Sequence, residues 1–432
     1  MFSRLKTKRN AYGVYLGMEF ASALFFSMIF TVSMVYQATT VGLNPLQLVL
    51  VGTTLEVAAF VFEVPTGVVA DVISRRTSII IGMFIMGVAF VIEGSVPQFG
   101  AILVAQGLWG LGYTFTSGAS QAWIADEVGE KQAGQAFLRA EQIGTVGALV
   151  GIVFGTLIGN VSINLPIVLG GLSLMGLGVA LILVMPETGF KPAPREDRTT
   201  FQSMAHTFKN GVRLVRGKPT LINILVIGLV FGLYSEGLDR LWTPHFLQSI
   251  TLPTFGGLAP VTWFGILRAG GMLLGIGLTE VARRRLDTNK HGVMARAVLS
   301  LNIAMVIGLF VFALTDNFVI ALIAYWALNT ARRTLMPLYT TWVNQHVESS
   351  VRATVISMSS QVDALGQIMG GPIVGGIGNT FGLRAALTSS AVILTSALPL
   401  LARVIRLDRH ATTIGREVAA NTVVIEEGVA VD

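Results

Sequence analysis

Apolar segments of membrane-spanning length recur along the whole chain, about twelve times. A helix of about twenty residues crosses the hydrocarbon core of a bilayer, and each segment has roughly that length or more. Only 12% of the residues are charged, about half the share of an ordinary soluble domain. The sequence therefore predicts an all-α polytopic membrane protein with spans at about 11–36, 46–71, 77–95, 99–125, 136–159, 165–186, 219–247, 259–282, 292–314, 318–343, 353–378 and 382–404.

Lysine and arginine are unevenly distributed among the loops between these segments. The loops at about 37–45, 96–98, 160–164 and 248–258 contain neither residue, whereas the alternate loops carry most of them. Because basic loops stay on the cytoplasmic side, the pattern predicts a multi-pass protein of the inner (plasma) membrane with both termini in the cytoplasm. The net charge of +6 has the same origin, so we expect no nucleic-acid partner.

The longest break between apolar segments divides the chain into two halves of six spans each. We predict an N-terminal six-helix bundle over 1–186, a cytoplasmic linker with a surface-lying amphipathic helix over 187–218, a C-terminal six-helix bundle over 219–405 and a cytoplasmic tail over 406–432. Two pseudo-symmetric bundles of this kind rock about a binding site near the middle of the membrane.

Five residues at the end of the second span have a fixed spacing. Gly67, Asp71, Ser74, Arg75 and Arg76 follow the order Gly-x-x-x-Asp-x-x-small-Arg-Arg. The glycine and the aspartate share a helix face, and the glycine lets a neighbouring helix come close. The order resembles the signature of the loop between helices 2 and 3 in the major facilitator superfamily of secondary transporters. The resemblance implies the major facilitator fold and transport by alternating access.

The same resemblance implies a gate at the cytoplasmic end. In the superfamily, the aspartate contacts the start of helix 11 in the outward-facing state, and the first arginine pairs with an acid at the end of helix 4. Arg352 and Asp126 occupy those places here, and Glu63 lies one turn before the glycine, as a member of this network or as a substrate contact. The predicted gate comprises Glu63, Gly67, Asp71, Arg75, Arg76, Asp126 and Arg352. If the two arginines only marked membrane topology, the glycine and aspartate would be unexplained.

Ionisable residues inside the spans indicate where function lies. Each costs roughly 3 kcal/mol or more in hydrocarbon unless it faces water or a partner. Carboxylates in the first two spans could take up and release protons, and an aspartate in the eleventh span could pair with one of two adjacent arginines in the tenth. Our candidates for proton coupling or substrate binding are Glu19, Glu56, Arg268, Arg332, Arg333 and Asp363.

A second group of charges lies in the seventh span. Glu236 and Arg240 are four residues apart, which favours an ion pair on one helix face, and Asp239 lies beside them. We place this cluster toward the outer end of the span. An outer gate and a purely structural ion-pair cluster explain it equally well.

Catalytic and metal-binding patterns are missing from the sequence. There are no cysteines, the five histidines do not cluster, and no phosphate-binding or dinucleotide-binding motif is present. We therefore expect neither an enzyme nor a metal or cofactor, with a proton gradient as the energy source. The expected partners are a small-molecule substrate, protons and the lipid bilayer, and the superfamily default is a monomer.

These observations predict a secondary active transporter that moves a small hydrophobic or amphipathic organic compound, coupled to protons. The chain resembles the drug/proton antiporter branch of the superfamily more loosely, which implies efflux. One alternative is a proton-coupled importer of an organic anion, with Arg268 and Arg332 as ligands of the anion. Another is a lipid flippase or a transport-dead sensor on the same fold.

Overall fold

The structure is a computed structural model that describes most of the chain. It covers residues 2–192, 209, 216, 219–253, 258–286, 291–347 and 352–406, without the side chains of 2–10, 291, 346 and 352–354. The predicted amphipathic helix of the linker and the tail after residue 406 lie outside the described residues. So does the side chain of Arg352.

Nearly all of the described residues are α-helical, and a proline or a polar cap marks several helix starts. The second helix begins after Asn44, whose side chain accepts a hydrogen bond from the Gln47 backbone N–H. The helices are α1 (Phe2–Thr39), α2 (Pro45–Val72), α3 (Arg75–Ser95), α4 (Phe99–Thr116), α5 (Ala119–Val128), α6 (Glu130–Gly159), α7 (Leu165–Val184), α8 (Pro219–Ser249), α9 (Pro260–Arg285), α10 (His291–Leu314), α11 (Phe318–His346), α12 (Arg352–Phe381) and α13 (Leu383–Thr395).

The twelve predicted spans are confirmed as helices. The fourth is broken into α4 and α5 at Gly118, whose φ of 71° favours glycine, and helix continues beyond α13 to residue 406. Within the described ranges, nine spans are by themselves long and apolar enough to cross a membrane. Of the other three, α4 is short because the span breaks at Gly118, and α11 and α12 carry Arg332, Arg333 and Asp363 near their middles.

Glycines hold two helix pairs at very short separation. A Cβ atom at Gly147, Gly151 or Gly155 of α6 would collide with a backbone carbonyl of α1. The second pair is α8 and α12, where Gly232 lies against the Asp363 carbonyl and Gly370 against that of Leu233. Apolar lipid gives no hydrophobic force between helices, so this close backbone packing supplies the attraction.

The α1–α6 contact gives a matched pair of substitutions. At Gly151, an added methyl group would lie within 3.0 Å of Ser27 Cβ and would overlap the Leu24 carbonyl, whereas at Gly144 the nearest atom is 3.8 Å away. We expect Gly151→Ala to destabilise the protein by about 1 to 3 kcal/mol through overpacking. Gly144→Ala should leave stability unchanged or raise it slightly. Thermal unfolding in detergent measures both, and equal melting temperatures would contradict the packing argument.

Among the described residues, the N-terminal half (α1–α7) and the C-terminal half (α8–α13) contact each other at one end of the helices. We call the end that carries Arg75, Arg76 and residues 185–192 the basic end. At the opposite end, the Asn160 side chain donates to Thr262 Oγ1 at 2.9 Å, and α12 packs on the start of α2. Within the described residues, hydrogen bonds and ion pairs near the basic end join residues of the same half. The opposite end is therefore closed.

Close packing of α12 on α2 forms this closure. Gly371, Gly375 and Gly378 lie in a row, and a Cβ atom on them would come within 2.8 Å of Thr53 Oγ1, 3.1 Å of the Leu46 Cα atom and 2.9 Å of Pro45 Cβ, respectively. The glycines of α12 thus pack this helix against α2 of the other half as well as against α8.

Candidate transport site

A cavity of about 480 Å³ lies between the two halves. Such a volume is typical of sites for small organic molecules. Four aromatic residues line it, Phe30 and Trp109 from one half and Trp242 and Tyr325 from the other. Its polar lining consists of Ser27, Ser33, Gln37, Glu56, Glu93, Gln106, Glu236, Asp239, Arg240, Arg268, Asn329, Arg333 and Gln367.

Glu93 is the most buried carboxylate of the cavity, with 1% of its surface exposed. The side-chain amide of Gln37 donates to one of its oxygens at 2.8 Å, and that of Gln106 donates to the other at 3.0 Å. The described residues provide no cation within ion-pair distance of it. Glu93 was not among the residues predicted from the sequence, because it lies two residues before the end of α3, beside a predicted loop. It is nevertheless the only acid in that span.

Glu56, one of the candidates predicted from the sequence, lines the same cavity from α2. In the described part of the chain, it has no ion-pair partner and accepts no hydrogen bond. One turn earlier, Gly52 leaves room for an ion pair of the other half, since a Cβ atom there would overlap the side chains of Glu236 and Arg240. The two halves therefore meet through charged groups at this level.

The predicted Glu236–Arg240 pair forms an ion pair that lines the central cavity. The Nε atom of Arg240 donates to Glu236 at 2.9 Å, and the carboxylate side chain is 4% exposed. Both residues lie just past the middle of α8 toward its Ser249 end and line the central cavity, where Gly52 of the other half contacts them.

Arg332 is paired differently from the prediction. Both of its terminal nitrogens donate to Asp239, at 2.5 and 2.8 Å, and its guanidinium lies 5.8 Å from the ring centre of Tyr234. Asp363, the predicted partner, instead accepts a hydrogen bond from Gln367 at 2.9 Å. It lies with Arg332 in a second cavity of about 130 Å³, but the two form no ion pair. The rotation of α11 turns Arg332 toward α8 rather than α12.

The other two candidate arginines both line the central cavity. Arg268 donates to the Phe30 carbonyl of α1 at 2.8 Å, which is a hydrogen bond between the halves. Arg333 lies beside Gly275 and has no acidic partner among the described residues.

Glu19 does not line either cavity described above. It lies on α1 near Glu141 of α6, so the structure does not bring it together with Glu56.

The predicted gate residues of the N-terminal half lie together at the basic end. Arg75 forms an ion pair with Asp126, donates to the Ala122 carbonyl at 2.8 Å and stacks over Phe190. Its distance to Asp71 is 4.0 Å. Glu63 is exposed, and no atom lies within 4 Å of a Cβ built at Gly67. Among the described residues, the close helix approach predicted at that glycine is thus absent.

A segment after α7 completes this network, which the sequence did not reveal. The Glu187 carboxylate accepts from the Ser74 hydroxyl at 2.6 Å and from the Arg76 backbone N–H at 2.9 Å, at the first turn of α3. The Glu127 carboxylate accepts from the backbone N–H groups of Thr188 and Gly189 at 2.5 and 2.7 Å. These bonds fasten the start of the linker to the loop of the signature motif.

Helices of two halves around one polar cavity, closed at one end, are the architecture of a secondary transporter. Comparison with known proteins agrees. A sequence profile described as Major Facilitator Superfamily matches residues 16–370. The chain therefore belongs to the major facilitator superfamily, a family of membrane transporters and not of enzymes.

Its relatives are distant in sequence. The chain is 24% identical over 350 residues to the uncharacterized MFS-type transporter YxaM of Bacillus subtilis (strain 168), covering 81% of this chain and 85% of that protein. Among solved structures, the nucleoside transporter NupG superposes with a TM-score of 0.70 at 14% identity, over 92% of this chain and 98% of the other. A peptide transporter POT in complex with sulfate gives 0.71 at 13% identity, over 94% and 95%. These two likenesses show the fold alone.

Proposed function

We propose that this chain exports a small organic compound in exchange for protons. The observation that carries the proposal is the pair of cavity carboxylates, Glu56 and Glu93, neither of which has an ion-pair partner in the described residues. A carboxylate at this depth is costly when ionised and unpaired. It persists where protonation and deprotonation are part of the working cycle.

The surroundings of Glu93 suit a proton-carrying group. When ionised, it accepts two amide hydrogen bonds, from Gln37 and Gln106. The Oε1 atoms of both glutamines are buried and accept no hydrogen bond from the described residues. Rotation of either amide by 180° would present an acceptor to a protonated Glu93, so both forms of the carboxyl group can be satisfied.

Arg240 links the protonation state of Glu56 and Glu93 to the contact between the halves at the closed end. It belongs to the C-terminal half, packs against Gly52 of α2 and interacts electrostatically with both Glu56 and Glu93. Ionised carboxylates attract it and hold the halves together at the opposite end. A proton or a cationic group that neutralises the carboxylates weakens this attraction. A proton on Glu93 and a cationic substrate group at Glu56 weaken the attraction for the same arginine, and this competition is the basis of exchange.

The proposed direction rests on the predicted topology. With the basic end in the cytoplasm, the present state would release protons to the cytoplasm and receive substrate from it.

An observation favours the second candidate, import of an organic anion: Arg268 and Arg333 line the cavity without acidic partners in the described residues. Arg332, the other predicted anion ligand, is occupied by Asp239.

The test is transport by the purified protein in liposomes that contain a pH-sensitive dye. A panel of amphipathic cations, zwitterions and anions is added with and without an imposed pH gradient. We expect a subset of compounds to move protons in the opposite direction to their own flux. Proton and compound moving together would support anion import instead. Compound exchange without any proton movement would refute coupling, and binding without movement would indicate a sensor.

A further inference from the structure

We infer that the transported compound is a small zwitterion, with its positive group toward the N-terminal half and its negative group toward the C-terminal half. This inference rests on the proposed function, because it assigns the substrate class of the same cavity. It starts from the charges that line the cavity and from the pairs that they form.

Two of the cavity acids are neutralised within the C-terminal half. Glu236 is paired with Arg240, and Asp239 is held by both terminal nitrogens of Arg332. Substrate therefore has little to gain at these acids. Four charges remain, the acids Glu56 and Glu93 and the cations Arg268 and Arg333, and no ion pair among the described residues joins an acid of this set to a cation.

These four charges are separated by half. Glu56 and Glu93 lie on α2 and α3, whereas Arg268 and Arg333 lie on α9 and α11. Both arginines line the same C-terminal side of the cavity, together with Tyr325. Two neighbouring guanidinium groups attract an anion, and planar carboxylates and phosphates match their fork of donors.

The acids of the N-terminal half and the arginines of the C-terminal half form two walls of the cavity. A ligand with one charge would pair with the charges of only one wall. An amine bound at the carboxylates leaves two arginines unpaired, and an acid bound at the arginines leaves the carboxylates unpaired. Unpaired charges away from bulk water are costly. A zwitterion neutralises one group on each wall, and it does so only when both halves contribute, as transport by alternating access requires.

The middle of the cavity favours an apolar or aromatic body between the two charges. Phe30 and Trp109 lie 5.0 Å apart between ring centres in one half, and Trp242 and Tyr325 stack at 4.6 Å in the other. Rings in such clusters present flat apolar surfaces to a ligand. With a volume of about 480 Å³, the site suits an aromatic amino acid or a short peptide.

Matched sets of compounds test the inference. The first set is L-phenylalanine, phenethylamine and 3-phenylpropanoate, and the second is L-tryptophan, tryptamine and indole-3-propanoate. The third is alanylphenylalanine, its C-terminal amide and its N-acetyl form, with a phosphonate analogue of the dipeptide to separate carboxylate from phosphate recognition. Binding is read from the thermal stabilisation of the purified full-length protein, and transport from the liposome assay.

We expect the zwitterion of at least one set to bind roughly tenfold or more tightly than either singly charged analogue. Equal or tighter binding of the amine or the acid would overturn the inference. So would the absence of binding by every set while other compounds still drive proton movement, and in that case the proposed function stands. If no compound of any kind moves protons, the proposed function itself fails.

Two variants identify the walls. Arg333→Gln should weaken zwitterion binding to about the level of the amine and leave the amine unchanged, whereas Glu56→Gln should weaken the zwitterion and the amine and leave the acid unchanged. Arg296→Gln, at an exposed position on α10, is the matched control. Equal losses for all three compounds in either variant would indicate a general defect and contradict the assignment. Size-exclusion profiles and melting temperatures verify that the variants fold.

Discussion

Replacement of Glu93 by glutamine is expected to abolish proton-driven transport while the protein still folds and exchanges substrate. Glutamine has nearly the same shape and can keep hydrogen bonds with Gln37 and Gln106, but it cannot bind or release a proton. The stability of the protein should rise slightly or stay the same, because a buried unpaired charge is removed. The fall in proton flux should be roughly a hundredfold or more.

The measurement compares two readouts in the same liposomes. One is the change of internal pH when substrate is added, and the other is exchange of labelled substrate at equal concentration on both sides, which needs no proton. Glu141→Gln is the control, an exposed acid of α6 that does not line the cavity. Normal proton flux in Glu93→Gln would exclude this residue as the proton carrier.

Glu56→Gln should differ from Glu93→Gln in one respect. Glu56 is less buried than Glu93 and has no hydrogen-bond partner in the described residues, so it is free to contact the substrate. We expect its loss to abolish proton coupling and also to weaken substrate exchange. A variant that lost coupling but kept normal exchange would assign Glu56 to the proton pathway alone.

The second large effect is expected at the closed end. Gly375 of α12 is packed against α2, where an added Cβ atom would lie 3.1 Å from the Leu46 Cα atom and from Val49 Cβ. Both neighbours belong to the other half. Gly375→Val should therefore push the halves apart at this end without disturbing the packing inside either half. Overpacking costs about 1 to 3 kcal/mol, and each 1.4 kcal/mol changes an equilibrium about tenfold.

The adjacent residue provides a matched control. A Cβ atom at Gly376 has no neighbour within 4 Å, so Gly376→Val adds the same side chain in the same helix without a collision. The native chain contains no cysteine, and Ser33→Cys places a single reporter in the cavity. A membrane-impermeant maleimide applied from the opposite end should label Gly375→Val about tenfold faster than the control. Equal labelling rates would contradict the role of this contact.

The same comparison bears on the gate at the basic end. An Asp71 carboxylate oxygen lies 4.0 Å from a guanidinium nitrogen of Arg75. The side chain of Arg352 is not among the described parts of the chain. The predicted contact of Asp71 with the start of α12 would form only when the basic end closes. Opening the opposite end by Gly375→Val should thus favour it.

Several features of the site were predictable from the sequence for a simple physical reason. A charge inside an apolar run is rare because it is costly, so Glu56, Arg268 and Arg333 were recognisable as residues of an interior cavity. Glu93 carried the same signal, one acid in an apolar span, but it lay close to a predicted loop. No such signal marked Glu187 and Glu127, because acids near loops are common. Only the fold shows that these two accept hydrogen bonds from backbone N–H groups.

The sequence by itself determined the membrane class, the twelve spans and the family motif. In lipid every backbone group must be satisfied within its own helix, so length and apolarity fix where each helix lies. The tertiary structure alone decided which charges meet. Successive residues of a helix point about 100° apart, and the rotation of each helix against its neighbours placed Arg332 on Asp239, left Arg333 in the cavity and kept Glu19 out of it. That rotation depends on contacts between distant segments, which no local pattern encodes.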